Sequence, residues 1–336
     1  MNSENDPGVP IGKTVVLAEP RSFCAGVRRA IGIVEAALER FGPPIYVRNQ
    51  IVHNHHVVRA LEQRDVHFVS STEEVPRGAV CVLSAHGVSP AVREAAAARD
   101  LRVIDATCPL VSKVHQQVIR AARDDRTVLL VGHMEHEEVE GTYGEAPDRT
   151  IVVSTVDEVR QLDLPEDTPV TYVTQTTLSI DDTREIVDAI ADRFTDMTGP
   201  GTDDICYASQ NRQNAVKALA QRTDVVLIVG SENSSNTVRM VEVAQQAGVR
   251  SYLVPDVEDL DESWLHGATS VGVSAGASAP EFLVEQLLDR LAELGLDRLE
   301  VEVTGSEADI TFGLPSAVGG TEPVADTGEQ NTGESS

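Results

Sequence analysis

Three cysteines in this chain of 336 residues occupy positions where a metal site could form. Cys24, Cys108 and Cys206 each precede a stretch with a helical pattern, whereas Cys81 lies inside a strand-like run and is predicted to be core. The chain has no CxxC motif, which disfavours a zinc ribbon or a common ferredoxin motif. Three thiolates are one ligand short of a closed zinc site. A [4Fe–4S] cluster held by three thiolates instead leaves one iron open to a substrate oxygen.

A second set of residues could bind a small phosphorylated substrate. Each member lies in a short polar loop or at a helix start that follows a predicted strand. Helix N-termini offer unpaired N–H groups, and imidazole, hydroxyl and amide groups add further donors with few fixed cations. The set consists of His53, His86, His136, Thr176, Ser234, Ser235, Asn236 and Ser278.

Simpler explanations exist for several polar residues. Ser278 alone is explained by a capping box with Glu281. His133 lies beside a polar loop but has no equivalent in the other parts of the chain. Four further histidines are predicted to lie on helix or strand surfaces, and they are His55, His56, His67 and His115.

The segment 132–141 carries four glutamates, most of them expected to be solvated. Periodicity alone does not single out one of them as catalytic. Glu138 is a candidate because a carboxyl group desolvated beside a metal cluster can have its pKa raised enough to hold a proton.

The elements that would carry these residues follow one pattern three times. Apolar runs of strand length, such as 14–18, 44–52 and 79–84, alternate with helical patterns, which predicts a parallel α/β architecture. Cysteine, helix, strand, polar loop, helix and strand then recur in the same order. The pattern predicts three similar α/β domains in a pseudo-threefold trefoil, because strand ends and helix starts would then meet at one centre. The predicted units are a disordered N-terminus 1–12, repeats 13–107, 108–204 and 205–314, and a disordered acidic tail 315–336, and the first strand is a candidate to join the third repeat.

Composition narrows the classes of partner. The net charge of −27 disfavours nucleic acid and anionic membrane surfaces. No apolar run approaches the roughly 18 residues of a membrane helix, and the N-terminus lacks the pattern of a signal peptide. We therefore expect a cytoplasmic protein without membrane or nucleic-acid partners.

Many of the polar segments resemble one known family. The motifs are Pro20–Val27, Ile51–Asn54, Ser84–Ser89, Asp105–Val111, His136–Gly141, Thr174–Ser179, Asp204–Tyr207, Asn233–Asn236 and Ala275–Pro280. They are similar to those of the 4-hydroxy-3-methylbut-2-enyl diphosphate reductases over about residues 13–313.

The resemblance implies a function and a role for each residue set. The reaction would reductively remove the hydroxyl of the allylic diphosphate, giving isopentenyl and dimethylallyl diphosphates, as the last step of the non-mevalonate isoprenoid pathway. Two electrons would arrive through one [4Fe–4S] cluster per chain, with ferredoxin or flavodoxin as donor. Cys24, Cys108 and Cys206 would ligate the cluster. Glu138 and Thr176 would lie near the substrate hydroxyl, with Glu138 in proton delivery. The diphosphate would be held by His53, His86, His136, Ser234, Ser235, Asn236 and Ser278.

The chain departs from the family pattern at two positions, and alternatives remain open. Glu137 stands where the family usually has proline, and Ser22 where it usually has glycine. An acidic donor would need a local basic patch, for which Arg21, Arg28 and Arg29 are candidates. A cluster-dependent hydro-lyase, a non-catalytic iron–sulfur sensor and a zinc protein are the alternative functions.

Overall fold

The computed structural model of the protein describes residues 13–201 and 204–319. The predicted N-terminal segment 1–12 and residues 320–336 of the predicted tail lie outside these ranges. Within the tail, Ser316–Gly319 form a helical turn, and Val318 packs against the core of the sheet built from the first repeat.

Short apolar runs become strands because they are buried on both faces of parallel sheets. All five residues of Val225–Val229 are buried, for example. The strands are β1 (Thr14–Glu19), β2 (Ile45–Arg48), β3 (Val66–Val69), β4 (Val80–Leu83), β5 (Arg102–Asp105), β6 (Thr127–Val131), β7 (Thr150–Val153), β8 (Val170–Thr174), β9 (Met197–Thr198), β10 (Val225–Val229), β11 (Arg250–Val254), β12 (Ser270–Ala275) and β13 (Arg298–Val303).

Helices alternate with these strands and cover the sheets. Their apolar side chains recur at helical spacing, as Ala30, Ile33, Val34 and Ala37 do on the buried face of the first helix. The helices are α1 (Ala25–Phe41), α2 (His55–Glu62), α3 (Pro90–Ala98), α4 (Pro109–Arg123), α5 (Glu137–Tyr143), α6 (Val156–Gln161), α7 (Ile180–Arg193), α8 (Tyr207–Ala220), α9 (Ser235–Gln246), α10 (Glu281–Glu293) and α11 (Ser316–Gly319). In the described residues, no helix combines the length and the apolar character needed to cross a membrane.

Within the described ranges the strands form three sheets, and every strand pair is parallel. The strand orders are β3-β2-β4-β5, β7-β6-β8-β9 and β11-β10-β12-β1-β13. The predicted α/β class with parallel sheets is therefore confirmed. In the third sheet β1 takes the place that β5 and β9 take in the other two, and β13 is added beyond it. The exact repeat boundaries stay a prediction.

The chain passes from one sheet to the next at three points, and a cysteine lies at each of them. Cys24 follows β1 and begins α1, which leads to the sheet of β2. Cys108 follows β5 and begins α4, and Cys206 follows β9 and begins α8. The three cysteines therefore share a topological position as well as a sequence pattern.

Three strands differ from the sequence prediction, and β13, which pairs with β1 at the edge of the third sheet, is not among the predicted strands. The predicted strand 44–52 ends at Arg48 because Asn49 adopts a left-handed conformation with φ of 56°, which an extended strand does not allow. The two-residue strand β9 is not predicted by the sequence pattern. It pairs with β8 through Val170↔Met197 and Thr171↔Thr198.

Arg212 is among the largest fully buried side chains and joins three parts of the fold. Its guanidinium, on α8, donates to Glu307 Oε1 at 2.9 Å and to the carbonyl of Ser22 at 2.5 Å. Glu307, which lies beyond β13, is also buried, with 8% of its side chain exposed. The pair connects the start of α1, helix α8 and the segment after the last strand.

We predict that Arg212→Leu lowers the free energy of unfolding by about 3–5 kcal/mol, because it leaves the Glu307 carboxylate buried without its cation. Arg222→Leu is the matched control. Arg222 pairs with Glu300 and Glu302 at the surface, so its loss should cost about 1 kcal/mol or less. Denaturant unfolding of both variants measures the difference. Equal losses would contradict a structural role of the buried pair.

Candidate active site

A cavity lies where the carboxyl ends of the three parallel sheets meet, which is where α/β sheets form their sites. Every site residue predicted from the sequence lines it, and these residues are Cys24, His53, His86, Cys108, His136, Glu138, Thr176, Cys206, Ser234, Ser235, Asn236 and Ser278. Their individual roles stay predictions.

Each cysteine is the N-cap residue of the helix that it begins. Cys24 Sγ accepts a hydrogen bond from the backbone N–H of Val27 at 3.4 Å. Cys206 Sγ accepts one from Ser209 at 3.3 Å. Thiolates are favoured at such helix starts, because the unpaired N–H groups and the helix dipole stabilise negative charge.

The backbone of each cysteine is fixed in one common way. Each cysteine follows the last strand that the chain forms before it leaves a sheet. The cysteine N–H donates to a carbonyl in the loop after the strand next to that one in the same sheet. The three bonds join Cys24 to Ala277 at 3.3 Å, Cys108 to Ala85 at 2.9 Å and Cys206 to Thr176 at 2.9 Å.

The three thiols lie close enough to act on one another. Burial, with the neighbouring thiols adding to it, raises the pKa of Cys108 to about 12 and that of Cys206 to about 11. Such thiols ionise at neutral pH only when a cation takes the place of the proton. Buried soft donors that need a cation fit a thiolate-bound metal or iron–sulfur cluster.

Gly26 provides the space beside two of these sulfurs. A Cβ at this position would lie 2.9 Å from Cys108 Sγ and 3.7 Å from Cys24 Sγ. Only a residue without a side chain leaves both sulfurs where they are. The sulfurs of Cys24 and Cys108 thus share one small region of the cavity wall.

Three histidines form a second wall of the cavity. The rings of His53 and His86 are stacked, with centroids 4.1 Å apart, and His136 meets both of them edge-on. Burial, reinforced by the His86 charge, lowers the pKa of His53 to about 3 and that of His136 to about 4. Both rings are therefore neutral at physiological pH. Nδ1 of His53 is buried and has no hydrogen-bond partner among the described residues, as expected for a group that awaits a ligand.

Glu138 is a buried carboxyl group that lines the cavity. Its Oε1 accepts from the backbone N–H of Thr176 at 2.6 Å, and its Oε2 accepts from the Thr176 hydroxyl at 2.9 Å. Burial raises the pKa of Glu138, and the two bonds from Thr176 oppose that shift only in part. Since Thr176 also accepts from the N–H of Cys206, one residue fixes both the acid and a cysteine.

The predicted capping box at Ser278 is wrong. Helix α10 begins at Glu281 with Pro280 as its N-cap, so Ser278 lies outside the first turn. Its hydroxyl donates to the carbonyl of His53 at 3.1 Å and to Ser234 Oγ at 3.2 Å. Capping therefore does not explain Ser278, whose hydroxyl belongs to the cavity wall.

The amide of Asn236 already has partners. Its Nδ2 donates to Ser209 Oγ at 3.2 Å, and its Oδ1 accepts from the N–H of Ala277 at 2.8 Å. Asn236 thus connects Ser209, on the helix that Cys206 begins, to Ala277, whose carbonyl accepts from the N–H of Cys24. Ser235 Oγ lies 2.9 Å from Thr177 Oγ1 on the opposite loop.

Ser22 adopts φ of 56°, in the left-handed region that favours glycine. Its hydroxyl donates to Glu281 Oε2 at 2.6 Å, and this bond offsets part of the cost of the conformation. Arg21 donates to the same carboxylate, and Arg29 donates to backbone carbonyls. Of the predicted basic patch, only Arg28 is exposed, and Arg21 and Arg29 are partly buried.

The other histidines and Cys81 lie outside the cavity. Cys81 is buried in the core, as predicted. The prediction of a surface position is wrong for His115, which is buried, packs against Gly87 and pairs with Glu145 at 2.9 Å. His67 is exposed and pairs with Asp65. The remaining histidines outside the cavity are His55, His56, His133 and His266.

Sequence reasoning missed several residues of the cavity. Thr177 follows Thr176 directly, and its place in a polar loop after a strand is the signal that could have found it. Tyr207 and Ser209 lie on the first turn of α8, next to Cys206, and they line the cavity too. Glu137 is not among the residues that line the cavity, but its Oε2 lies 3.2 Å from Nδ1 of the cavity residue His86, a contact that no periodicity shows.

Comparison with known proteins identifies relatives of this chain. Residues 15–292 match the family described as LytB protein. A 4-hydroxy-3-methylbut-2-enyl diphosphate reductase 2 from Bradyrhizobium diazoefficiens is 54% identical over 302 residues, covering 90% of this chain and 98% of the relative. The reductase of Nocardia farcinica is 54% identical over 304 residues, or 90% of each chain.

Two solved structures share the fold. The E-1-hydroxy-2-methyl-but-2-enyl-4-diphosphate reductase of Plasmodium falciparum aligns with a TM-score of 0.88 at 38% identity, covering 91% of this chain and 96% of that one. The second is an (E)-4-hydroxy-3-methyl-but-2-enyl diphosphate reductase, described as the terminal enzyme of the non-mevalonate pathway. It aligns with a TM-score of 0.61 at 35% identity, covering 84% of this chain and 99% of that one.

We predict that Gly26→Ala weakens metal binding by about tenfold or more, the effect typical of disturbing groups beside metal ligands. The new methyl group must displace Cys108 Sγ. Gly32→Ala on the same helix is the control, because its Cβ would meet nothing closer than 3.8 Å. Iron content after anaerobic reconstitution measures both variants. Full iron content in Gly26→Ala would show that the sulfurs tolerate the displacement.

Proposed function

The chain belongs to the LytB family, and we propose that its central cavity reduces 4-hydroxy-3-methylbut-2-enyl diphosphate to isopentenyl and dimethylallyl diphosphates. The family relatives named above are reductases of this allylic diphosphate. The chain is accordingly an oxidoreductase with a small-molecule substrate. The observation that carries the proposal is the buried acid Glu138, joined through Thr176 to the cysteine site.

The reaction fixes what the cavity must provide. The carbon–oxygen bond of an allylic alcohol breaks, two electrons and two protons enter, and water leaves. One proton accompanies the departing oxygen and the other ends on carbon. Two carbons of the allylic unit can receive that second proton, which accounts for two products.

We assign the thiols as ligands of a [4Fe–4S] cluster. Cys24, Cys108 and Cys206 would hold it, because they are soft donors that line one cavity. Burial raises the pKa of Cys108 and Cys206, so these two thiols require a cation to ionise. When bound, this group would supply the two electrons singly. The cluster type and the donor, ferredoxin or flavodoxin, are proposals, and the cytoplasmic location stays a prediction.

The diphosphate would bind at the opposite wall of the cavity. His53, His86 and His136 provide ring nitrogens, and Ser234 and Ser278 provide paired hydroxyls. Binding of this part of the substrate, remote from the reacting bond, orients the hydroxyl-bearing carbon toward the cysteines. Ser235 and Asn236 lie at the start of α9, where backbone N–H groups also face phosphate oxygens.

Glu138 would deliver the proton that lets the hydroxyl leave as water. Its raised pKa keeps a larger protonated fraction near neutral pH than an exposed glutamate has. Thr176 would position this carboxyl through its two hydrogen bonds and can itself contact the substrate hydroxyl.

The decisive experiment is anaerobic reconstitution with iron and sulfide, followed by an assay of the allylic diphosphate with and without dithionite. We expect both five-carbon diphosphates with the reductant and none without it. Conversion without reductant would indicate the hydro-lyase. No conversion in either assay by a fully loaded protein would contradict the proposal.

We predict that Cys108→Ala loses nearly all cluster iron, since two thiolates and a methyl group cannot replace three ligands. Cys81→Ala serves as the control, because that thiol is buried in the core away from the cavity. Iron and acid-labile sulfide per folded chain are the measurements. Equal iron in both variants would remove Cys108 from the ligand set.

We predict that Glu138→Gln keeps its iron but lowers turnover by about tenfold to a thousandfold, because it removes a general acid. Wild-type turnover should fall as pH rises through the raised pKa of Glu138, since only the protonated form acts. The glutamine variant should lack that fall.

The control for this variant is Glu140→Gln, an exposed acid on the same helix, which should behave as wild type. Turnover is measured across pH with dithionite as donor. A glutamine variant at position 138 with normal turnover would exclude Glu138 from proton delivery.

A further inference from the structure

The strand β13 ends the third sheet with an apolar stripe that faces solvent. No segment of the described residues pairs with its outer edge. The side chains of Leu299, Val301 and Val303 are 54%, 50% and 63% exposed. An open edge of this kind is a template on which another strand can pair, and exposed apolar side chains strengthen that tendency.

The other sheet edges lack such a stripe. Among the described residues, the other edge strands carry one exposed large apolar side chain between them, Val103 on β5, which is 37% exposed. The edge strand β9 is only two residues long. The apolar stripe is therefore a particular feature of β13 and not a general property of the sheet edges.

The backbone of β13 turns its free groups outward at the same three residues. Arg298 and Thr304 donate their N–H groups to the carbonyls of Lys13 and Glu19, on the side of β1. The N–H and C=O of one strand residue lie on the same edge, and the edge alternates from residue to residue. The even-numbered residues of β13 thus face β1, and Leu299, Val301 and Val303 face outward.

This pattern is self-complementary about a twofold axis through Val301. When two copies of β13 pair antiparallel about that axis, Val301 lies opposite Val301 of the second copy, and Leu299 lies opposite Val303. All three pairs are then of the hydrogen-bonded type, which gives about six backbone hydrogen bonds. Opposite residues share a face, so the apolar side chains of both copies form one continuous stripe.

The other face of β13 carries charges that balance within each copy. Glu300 and Glu302 both pair with Arg222, and Glu300 also lies 3.1 Å from Arg298. In the antiparallel pair Glu300 would lie opposite Glu302 of the second copy, with these guanidinium groups beside them to offset the repulsion. Local neutrality matters because the net charge of −27 otherwise drives two copies apart.

A second copy fits this edge better than an unrelated extended segment. Any extended segment can supply the backbone hydrogen bonds of an open edge. A second copy of β13 also brings apolar side chains at the matching alternate positions and neutralises its own carboxylates on the other face. The edge therefore matches itself in backbone spacing, apolar pattern and charge.

We propose that the outer edge of β13 is the interface of a homodimer, in which two copies pair antiparallel about Val301 and join their third sheets into one. The proposal goes beyond the reductase function and does not depend on it. A single strand pair is a small interface, so association should vary with protein concentration. Since β13 lies next to β1, which leads to Cys24, the dimer would brace the sheet that carries one of the cysteines.

Sedimentation velocity of the reconstituted full chain over a concentration series tests the proposal. We expect the mass to rise from that of one chain toward that of two. The runs are made in about 0.3 M salt, which screens the repulsion between two acidic copies.

Val301→Lys should weaken self-association by at least about tenfold, because it places two cations opposite each other at the twofold axis. Val103→Lys is the matched control, since it makes the same change at an exposed valine on the edge strand of another sheet. It should dimerise as wild type does. Val301→Pro removes only an outward N–H and should weaken the dimer without adding charge. Denaturant unfolding checks that all three variants are folded.

Cysteine variants test the register by disulfide formation between chains. Opposite residues of a hydrogen-bonded pair have Cα atoms about 5.5 Å apart, which a disulfide can span. Val301→Cys should therefore link to itself. Leu299→Cys alone should not, whereas a mixture of Leu299→Cys with Val303→Cys should link. The wild-type chain, which has its own four cysteines, is the control.

Four outcomes would overturn the proposal. They are a monomer at every concentration, a dimer that Val301→Lys leaves intact, a dimer that Val103→Lys disrupts equally, and linking of Leu299→Cys to itself as readily as Val301→Cys. Deletion of residues 1–12 tests another occupant of the edge. A chain that dimerises only after this deletion would show that its own N-terminal segment, and not a second copy, covers β13.

Discussion

Three backbone hydrogen bonds from cysteine N–H groups determine how the rest of the site is arranged. Each is formed where the chain leaves one sheet for the next, and each ends on a carbonyl beyond the neighbouring strand. The same backbone hydrogen bond therefore recurs at Cys24, Cys108 and Cys206. It orients the start of the helix that follows each cysteine. The sulfurs follow from that geometry, and Gly26 supplies the space that two of them need.

Burial shifts the pKa values of the titratable groups in the cavity, and the same burial lowers the stability of the folded protein. The same desolvation raises the pKa of Glu138, Cys108 and Cys206 and lowers the pKa of His53. A carboxyl group whose pKa is raised by folding destabilises the native state progressively as pH rises above the pKa of the unfolded chain. Glu138 carries such a cost, and in return it keeps a larger protonated fraction than an exposed glutamate has. Stability is recovered elsewhere, in apolar sheets and in buried pairs such as Arg212 with Glu307.

The sequence predicts the members of the site better than their interactions. Parallel strands bring their carboxyl ends together, so polar loops at equivalent positions after strands can be assigned to one cavity from the order of the residues alone. Contacts between repeats leave no such pattern. Ser278 resembles a helix cap because its spacing to Glu281 fits one, yet Glu281 bonds to Arg21 and Ser22 and the helix begins later. Glu137 and His115 likewise acquire their partners only through tertiary packing.

The position of β1 determines when the third sheet can be completed during synthesis of the chain. This strand lies between β12 and β13, and its register pairs Thr14 with Ser270 and with Arg298. Its two neighbours are synthesised more than two hundred residues later, so the third sheet stays unfinished until both of them have been made. Since Cys24 follows β1 directly, its position in the cavity is fixed only at that stage. A cofactor held by all three cysteines would therefore be inserted only after β13 has been synthesised.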